Sequence, residues 1–410
     1  MPELKLTRMA HNGFAVGRLE GKVIFVPYAV PGETVRVEIV EEKQRWGRAR
    51  LTEILDPSPR RLAPMCPEFG PGGCGGCHWQ HIQAEAQLEF KTDVIRDQIF
   101  RVGGLDPVCV LPTRSVGDFR EYRNHVQMRA VGERLGFISA DKNRIHAVRR
   151  CLLMHPLVDS LFRGWRAERA TGQKVVLRAA VGSNERMAVV YPDKAMDFPF
   201  RIDGVDLIRV GRSGQTVFGS AGRDFIMEYA AGLPFRISRA SFFQVNTAGA
   251  SELAAEVMQL LNLNSEDTLL DCYSGVGLIS LAAAAHVHRV IAIESDLSAV
   301  RDLKANAAAS AAENLEIHEG DVTARLEHWK GRVTKVVLDP PRRGCGRKVV
   351  KRTAAMRPES IVYVACDPAS LARDARSFSD CGYQLKKVLP LDLFPQTYHV
   401  ESVALFEPGG

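Results

Sequence analysis

Hydrophobic and polar residues alternate in short segments over residues 5–56, and glycine and proline interrupt these segments at close intervals. Alternation with a period of two is typical of strands that bury one face. The interruptions are typical of turns between antiparallel strands. The pattern therefore predicts a small antiparallel β-barrel, and the segment DPSPRRLAP after it reads as a linker.

The next part of the chain predicts one helix followed by strands. Apolar residues recur at helical spacing from His81 to Val102, and Gly103 and Gly104 supply a typical helix end. Further on, KVVLRAAVGSNERMAVVY contains two strand-like runs around a Gly-Ser-Asn turn. We therefore expect a barrel domain over residues 1–57 and a mainly β central domain over residues 58–240.

From Asp267 onward, continuous apolar runs alternate with helical segments. Runs such as RVIAIE and SIVYVA are typical of parallel strands that are buried on both faces. The alternation predicts a doubly wound, mainly parallel α/β sheet that binds its ligand at the carboxyl ends of the strands. We expect this third domain over residues 241–410.

Composition and charge narrow the class of protein. No run in the 410 residues approaches the roughly 18 apolar residues that a membrane span needs, and the start MPELKLTRMA has no apolar signal region, so we expect a cytoplasmic location. Thiols stay reduced there, and nine cysteines then point to metal or catalysis before disulfides. Residues 120–150 and 342–352 are strongly basic, which favours an anionic partner such as nucleic acid over a merely solvated surface.

A nucleotide-type site follows the first strand of the third domain. Gly275 and Gly277 stand in DCYSGVGL, and Glu294 closes the next strand. Small residues let the backbone approach a ligand, and an acid at the second strand can bind ribose hydroxyls. Ser280 stands where a dinucleotide fold prefers glycine, so S-adenosylmethionine fits better than NAD, with Asp321 facing the adenine. The alternative is that both acids are surface residues at strand ends.

Cys366 and Glu401 are candidates for catalysis. Cys366 ends a buried strand before Asp-Pro, so it faces a helix N-terminus, where partial positive charge favours a thiolate. A small core cysteine and a structural glutamate are the plain alternatives. Together with a methyl donor, a thiolate that adds to C6 of uracil and a base that removes the C5 proton would methylate C5.

Three cysteines, Cys66, Cys74 and Cys77, lie in the glycine-rich loop APMCPEFGPGGCGGCHWQ. Read locally, they suit zinc with His78 or His81 as a fourth ligand, an iron–sulfur cluster, or free thiols. The local pattern leaves these three alternatives open.

The motifs SFFQVN, DCYSGVG, LDPPRRG, VYVACDPASLARD and HVES occur in the order found in one family. On these, the chain resembles the S-adenosylmethionine-dependent RNA 5-methyluridine methyltransferases of the iron–sulfur type over essentially its whole length. The resemblance implies a TRAM domain, an OB-like barrel that binds RNA, over residues 5–56. It implies a base flipped out of the RNA. Members of the family act on 23S ribosomal RNA or on the T-loop of tRNA, and we favour ribosomal RNA. No obligate protein partner is implied, and we expect no membrane partner.

The resemblance also implies roles for individual residues. Cys366 matches the nucleophile and Glu401 the base. Cofactor contacts match Gln244, Tyr273, Gly275, Gly277, Glu294, Asp321 and Asp339. Substrate contacts match Phe243, Gln244, Arg123 and Asn124. The ligands of a [4Fe–4S] cluster match Cys66, Cys74, Cys77 and Cys151.

Two positions depart from the family pattern. Leu278 replaces a polar cofactor contact of some relatives, and seven residues separate the first two cysteines where many relatives have five. Two other functions share parts of this pattern: a non-catalytic RNA-binding protein and a 5-methylcytosine enzyme.

Overall fold

A computed structural model describes residues 1–168, 170–191, 200–203, 205–210, 215–219 and 223–409. The first five strands close into a barrel in the order β1-β2-β3-β5-β4. The strands are β1 Glu3–Met9, β2 Ala15–Leu19, β3 Lys22–Val26, β4 Thr34–Glu42 and β5 Trp46–Asp56. Alternate residues such as Leu4, Leu6, Ile24 and Val26 fill the barrel interior. The predicted barrel is confirmed, except that β3 and β5 pair in parallel.

A seven-stranded antiparallel sheet, in the order β14-β15-β12-β11-β7-β8-β9, forms the centre of the chain. The elements of this part are α1 Ala84–Arg101, a 3₁₀ helix Pro107–Cys109, β6 Arg114–Ser115, β7 His125–Gly132, β8 Arg134–Ile138, β9 Ile145–Ala147, α2 Pro156–Gly164, β10 Trp165–Ala167, β11 Ala170–Ala180, β12 Glu185–Tyr191, β13 Phe200–Ile202, β14 Asp206–Val210, β15 Gln215–Gly219, β16 Phe225–Ala230 and β17 Leu233–Ser238. Although α1 and β6 precede this sheet in the chain, α1 packs on α8 and β6 pairs with β23 of the last domain.

The last part is the expected doubly wound sheet, with eight strands in the order β20-β19-β18-β21-β22-β24-β23-β6. Its elements are α3 Thr247–Leu261, β18 Thr268–Cys272, α4 Leu278–Ala284, β19 Arg289–Glu294, α5 Leu297–Ala309, β20 Leu315–Glu319, α6 Val322–Glu327, β21 Lys335–Leu338, α7 Gly346–Ala355, β22 Ser360–Ala365, α8 Pro368–Ser379, β23 Tyr383–Asp392 and β24 Glu401–Pro408. The strands β18 to β22 are parallel, whereas β24 runs antiparallel between β22 and β23.

Apolar cores cover both faces of this sheet, which explains the uninterrupted apolar runs in its sequence. All six residues of β22 are buried, with Ile361 and Tyr363 in one core and Val362 and Val364 in the other. No helix in the described ranges is long and apolar enough to cross a membrane.

Candidate active site

The carboxyl ends of the parallel strands meet at one edge of the C-terminal sheet. Because β24 runs antiparallel, it begins at the same edge, where β22 ends. The structure therefore brings most of the predicted cofactor residues and the predicted catalytic pair to one edge: Tyr273, Gly275, Gly277, Glu294, Asp321, Asp339, Cys366 and Glu401.

The loop after β18 turns sharply toward β19. Tyr273 and Gly275 have φ of 65° and 55°, and Gly277 has φ of 98° at the start of α4. A Cβ on Gly277 would lie 2.4 Å from Cδ1 of Leu303, so the turn requires glycine. The Gly275 N–H donates to Oε2 of Glu294 at 2.9 Å, which holds the loop against this carboxylate.

Glu294 and Asp321 lie at neighbouring strand ends and both accept backbone hydrogen bonds. Oε1 of Glu294 accepts from the N–H groups of Ser295 and Asp296 at 2.7 Å each. Asp321 is exposed and caps α6 by accepting from the Ala324 N–H at 3.0 Å. The alternative that these two acids have only a structural role therefore accounts for some of the hydrogen bonds that they accept. Each carboxylate oxygen has about two acceptor sites, so Oε2 of Glu294 and the carboxylate of Asp321, each with one hydrogen bond above, keep capacity for a ligand.

Cys366 and Glu401 are cross-strand neighbours. Ala365 pairs with Ser402 in the antiparallel ladder of β22 and β24, so the next residues in the same register are Cys366 and Glu401. Residues directly opposite each other project on the same face, with Cβ atoms about 5 Å apart. Glu401 is 4% exposed, and burial followed by the charge of Asp339 raises its pKa well above its usual range.

The expectation that the helix N-terminus favours a thiolate at Cys366 is wrong for the protein without its ligands. Burial, followed by the charges of Glu401 and Asp339, raises the pKa of the Cys366 thiol to about 12. Desolvation therefore outweighs the partial positive charge at the start of α8. Arg342 opposes the rise in pKa at both Cys366 and Glu401, so one cation of the basic 342–352 segment does lie beside the pair.

A second pair of acids borders the glycine loop. The Asp339 N–H donates to the Cys272 carbonyl at 3.2 Å, which joins the ends of β21 and β18. Burial raises the pKa of Asp271 and of Asp339 to about 7 each, and Glu294 adds to both shifts. Oδ2 of Asp271 accepts from the Ser280 hydroxyl at 2.5 Å. An edge of the sheet that concentrates carboxylates in this way favours a ligand with positive charge.

Two of the expected substrate contacts, Phe243 and Asn124, are buried, and their contacts with RNA stay a prediction. Phe243 is 4% exposed and packs on Phe235 with ring centroids 5.7 Å apart, so its ring belongs to the core. Asn124 is 3% exposed, and its Nδ2 donates to the Gln244 carbonyl at 3.2 Å and to the Thr247 hydroxyl at 2.9 Å. It positions the segment before α3 and has no free donor for an RNA backbone.

Phe242 is 67% exposed beside the buried Phe243. Adjacent residues in an extended segment point to opposite sides, so only one of the two rings can enter the core. The sequence holds no signal that decides which ring this is. Gln244 is partly exposed on the same side of the chain as Phe242, and its contacts with cofactor or base stay a prediction.

One cavity of about 30 Å³ is lined by all four of the predicted cluster ligands, Cys66, Cys74, Cys77 and Cys151. Burial raises the pKa of Cys74 to about 11 and that of Cys77 to about 12. Among the described residues, no three or more His, Cys, Asp or Glu side chains form a group that could hold a metal ion. The four thiols thus surround a common space without meeting at one point. Burial raises the pKa of Cys151, and Arg123, which lines the same cavity, is one of the groups that oppose this rise.

The two histidines considered as zinc ligands pack elsewhere. The His81 ring stacks on Phe69 at 5.5 Å, and the His78 ring lies 4.5 Å from that of Tyr398. Burial lowers the pKa of each histidine to about 4. Neither is among the described residues that line the cysteine cavity.

The fold and its carboxylate-lined edge define a class of protein. It is the class of α/β proteins that bind a nucleotide cofactor at the strand ends, here with an additional OB-like barrel. Comparison with known proteins narrows the class. The family model described as tRNA (uracil-5-)-methyltransferase matches residues 220–408, and the TRAM domain model matches residues 3–52.

Whole-chain relatives agree with these matches. An uncharacterized RNA methyltransferase of Streptomyces avermitilis is 37% identical over 99% of this chain and 98% of its own. The 23S rRNA (uracil(1939)-C(5))-methyltransferase RlmD of Shewanella amazonensis is 32% identical over 98% and 95%. The crystal structure of the Pyrococcus abyssi tRNA (uracil-54, C5)-methyltransferase with S-adenosyl-L-homocysteine shares 25% identity and a TM-score of 0.74, over 99% of this chain and 100% of that one. This chain therefore belongs to the S-adenosylmethionine-dependent RNA uracil-5-methyltransferases.

Proposed function

We propose that this enzyme methylates C5 of a uridine in 23S ribosomal RNA through a covalent adduct between Cys366 and C6 of the base. The observation that carries the proposal is that Cys366 and Glu401 adjoin the last pair of the β22–β24 ladder, because C5 methylation of uracil needs a nucleophile and a base close together. The relative named as a 23S rRNA methyltransferase aligns along nearly the whole chain, which favours ribosomal RNA as the substrate.

The first task of the protein is to make C5 nucleophilic. Sγ of Cys366 adds to C6, and the electrons of the C5–C6 double bond move to give an enolate. This addition requires that the thiol give up its proton, which the partly exposed Cys366 can release to solvent, and the high pKa of Cys366 opposes this loss in the protein without its ligands. Positive charge brought beside Asp339 and Glu401 lowers that pKa, as Arg342 does already.

S-adenosylmethionine, when bound, supplies a positively charged sulfonium and the methyl group that C5 receives. The acids at the strand ends and the glycine loop fit such a ligand, since they offer carboxylates to ribose, amine and sulfonium groups. Tyr273, Gln244, Glu294, Asp321 and Asp339 are the side chains that would hold it.

Glu401 completes the reaction. Its carboxylate removes the C5 proton, the electrons re-form the C5–C6 double bond, and the bond from C6 to Sγ breaks, so Cys366 leaves as a thiolate. A raised pKa makes Glu401 a better proton acceptor than an ordinary carboxylate. Glu401 is buried, whereas Cys366 is partly exposed.

The four cavity cysteines would hold a [4Fe–4S] cluster. A single zinc ion bonds each sulfur at about 2.3 Å and so draws the sulfurs to about 3.8 Å from one another, whereas a cluster is held by thiolates around a larger space. Two hydrogen bonds support thiolates here: the Gly76 N–H to Cys74 at 3.4 Å and the Gln80 amide to Cys77 at 3.2 Å.

The cysteine loop is joined to the loop that leads to Glu401. The N–H groups of His78 and Trp79 both donate to the Gln396 carbonyl, at 2.9 and 3.0 Å. A cluster that holds the four cysteines in place would therefore also hold the loop that leads to Glu401 in place. This role of the cluster is structural and involves no electron transfer.

Methyl transfer from labelled S-adenosylmethionine to 23S rRNA and tRNA transcripts, followed by nucleoside mass spectrometry, tests the proposal. We expect 5-methyluridine in the rRNA, and none with Cys366→Ala. Label in tRNA alone would overturn the choice of substrate, and 5-methylcytosine would overturn the choice of base. RNA binding with no transfer to either RNA would indicate a non-catalytic binding protein.

A further inference from the structure

One loop of the barrel reaches the edge of the C-terminal sheet that carries Cys366. This loop, between β1 and β2, is a tight turn, because the Gly13 N–H donates to the Ala10 carbonyl and the Ala10 N–H to the Phe14 carbonyl, both at 2.9 Å. From outside the barrel, Nε1 of the buried Trp79 donates to the Gly13 carbonyl at 2.9 Å. These hydrogen bonds fix the backbone of the loop.

His11 of this loop contacts the residue that follows the proposed nucleophile. Its Nε2 lies 3.0 Å from Oδ2 of Asp367, and both side chains are partly buried. Nδ1 of His11 is buried and has no hydrogen-bond partner among the described residues, so Asp367 is the partner that orients the ring. An ionised carboxylate only accepts hydrogen bonds, and Nε2 therefore carries a proton and donates it.

The other carboxylate oxygen of Asp367 is bound to the start of α8. Oδ1 accepts from the Ser370 N–H at 2.7 Å, and the Asp367 carbonyl accepts from the Ser370 hydroxyl at 2.8 Å. The Asp367 side chain thus joins the first turn of α8 to the ring of His11. Because Cys366 is the preceding residue in the chain, this junction also restricts the backbone from which its thiol projects.

The contact also affects the charge beside the thiol. Burial raises the pKa of Asp367, but hydrogen bonds and charge, with the bond to His11 first among them, outweigh burial and lower the pKa overall. Burial raises the pKa of the Cys366 thiol, and the charge of Asp367 is one of those that add to this rise. A donor bound to the Asp367 carboxylate therefore offsets part of the negative field at Cys366.

The same loop packs against the segment before Glu401. A Cβ on Gly13 would lie 2.7 Å from Cβ of Tyr398, so the backbone of the loop and this side chain are in close contact. The barrel loop therefore contacts the chain just after Cys366 and just before Glu401. A second link between barrel and C-terminal domain is the ion pair of Arg8 with Asp97 of α1, at 3.0 Å.

We propose that His11 is a positioning residue for Cys366, so that the barrel completes the catalytic centre through its β1–β2 loop. The inference rests on the proposed function for the role of Cys366. It goes further in giving a residue of the barrel a task in methyl transfer, which a barrel that only binds RNA would not have.

Steady-state kinetics of full-chain variants, with saturating S-adenosylmethionine and a 23S rRNA transcript, measure this task. His11→Ala should lower kcat by about 10- to 100-fold, the effect of a misplaced reacting group, and leave KM for RNA unchanged. His11→Gln should keep most of kcat, because its amide nitrogen can donate from nearly the position of Nε2. Arg8→Ala, which breaks the ion pair with Asp97, is the matched control and should leave kcat unchanged.

Two kinetic results would overturn the proposal. An equal fall of kcat in Arg8→Ala and His11→Ala would show that any loss of barrel docking has this effect. A rise in KM for RNA in His11→Ala with kcat unchanged would show that His11 serves RNA binding alone.

Alkylation of Cys366 by iodoacetamide in the protein without RNA tests the contact apart from the reaction. At pH 8, His11→Ala should slow alkylation by about 2- to 5-fold, the size of one partly exposed charge interaction. In an Asp367→Asn background, which keeps an oxygen for the N-cap and removes the charge, His11→Ala should have no effect. Equal slowing in both backgrounds, or no slowing in either, would overturn the proposal. Failure of the wild type to methylate RNA would refute the proposed function alone, since the alkylation difference does not depend on it.

Discussion

Cys366 and Glu401 adjoin the last pair of the β22–β24 ladder, Ala365 with Ser402, and the charge of Glu401 acts on the Cys366 thiol, although 34 residues separate the two in the chain. The antiparallel insertion of β24 between β22 and β23 creates this pairing, because it brings the start of one strand to the end of its neighbour. After burial, the charge of Glu401 is the next cause that raises the pKa of the Cys366 thiol.

Replacing Glu401 by Gln should separate adduct formation from adduct release. The amide cannot take the C5 proton, so turnover should fall by about 10²- to 10⁴-fold. A methylated RNA–protein complex should accumulate and be visible as a shifted band under denaturing conditions. Glu407→Gln is the control, since Glu407 lies near the other end of β24. A loss of turnover without any complex would show that Glu401 is needed before methyl transfer.

Alkylation of Cys366 by iodoacetamide, followed by peptide mass spectrometry, reports its pKa. A thiol with a pKa of about 12 is almost wholly protonated at pH 7, so its alkylation rate should rise about tenfold per pH unit through pH 10. Removing the nearby cation with Arg342→Ala raises the pKa further and should slow the reaction at every pH. Arg347→Ala, in the same basic segment, should not. A rate that levels off below about pH 8 would mean that the thiolate is already formed.

Iron analysis tests the cysteine cavity. Protein purified anaerobically should contain about four iron atoms and four sulfides per chain and absorb visible light. Cys151→Ala should abolish both, because it removes a ligand. Cys109→Ala should not, because Cys109 is not among the described residues lining the cavity. A colourless wild-type protein with one zinc ion per chain would contradict the cluster.

The docking of the barrel on the catalytic domain depends on Gly13. This residue has φ of 80°, and a Cβ there would lie 2.7 Å from Cβ of Tyr398, in the loop before Glu401. Gly21 has φ of 81° in the same barrel with nothing within 4 Å, so Gly21→Ala measures backbone strain alone, about 1 kcal/mol. Gly13→Ala should cost about 1–3 kcal/mol more. Equal thermal midpoints for the two variants would show that this contact does not hold the domains together.

The residues at the carboxyl ends of the strands could be predicted from the sequence, because the local pattern of residues shows where each buried strand ends. A buried strand followed by glycine, Glu, Asp or Cys places each of those residues at the edge of a parallel sheet. The position of Glu401 opposite Cys366 needs the strand order, which no periodicity reveals. The orientation of Phe242 and Phe243 depends on which ring meets Phe235, and the role of Asn124 depends on contacts with residues 120 positions away. The sequence predicts a thiolate at Cys366, but burial raises the pKa of this thiol, and burial is a property of the whole fold.

The most direct test uses the protein with S-adenosylmethionine and RNA that contains 5-fluorouridine at the target position. Fluorine at C5 cannot be removed as a proton, so the adduct cannot resolve. We expect mass spectrometry to find a methylated 5-fluorouridine joined to the peptide that contains Cys366. Cys366→Ser should yield no such species. Transfer of methyl groups to uridine without any bond between the RNA and Cys366 would contradict the mechanism.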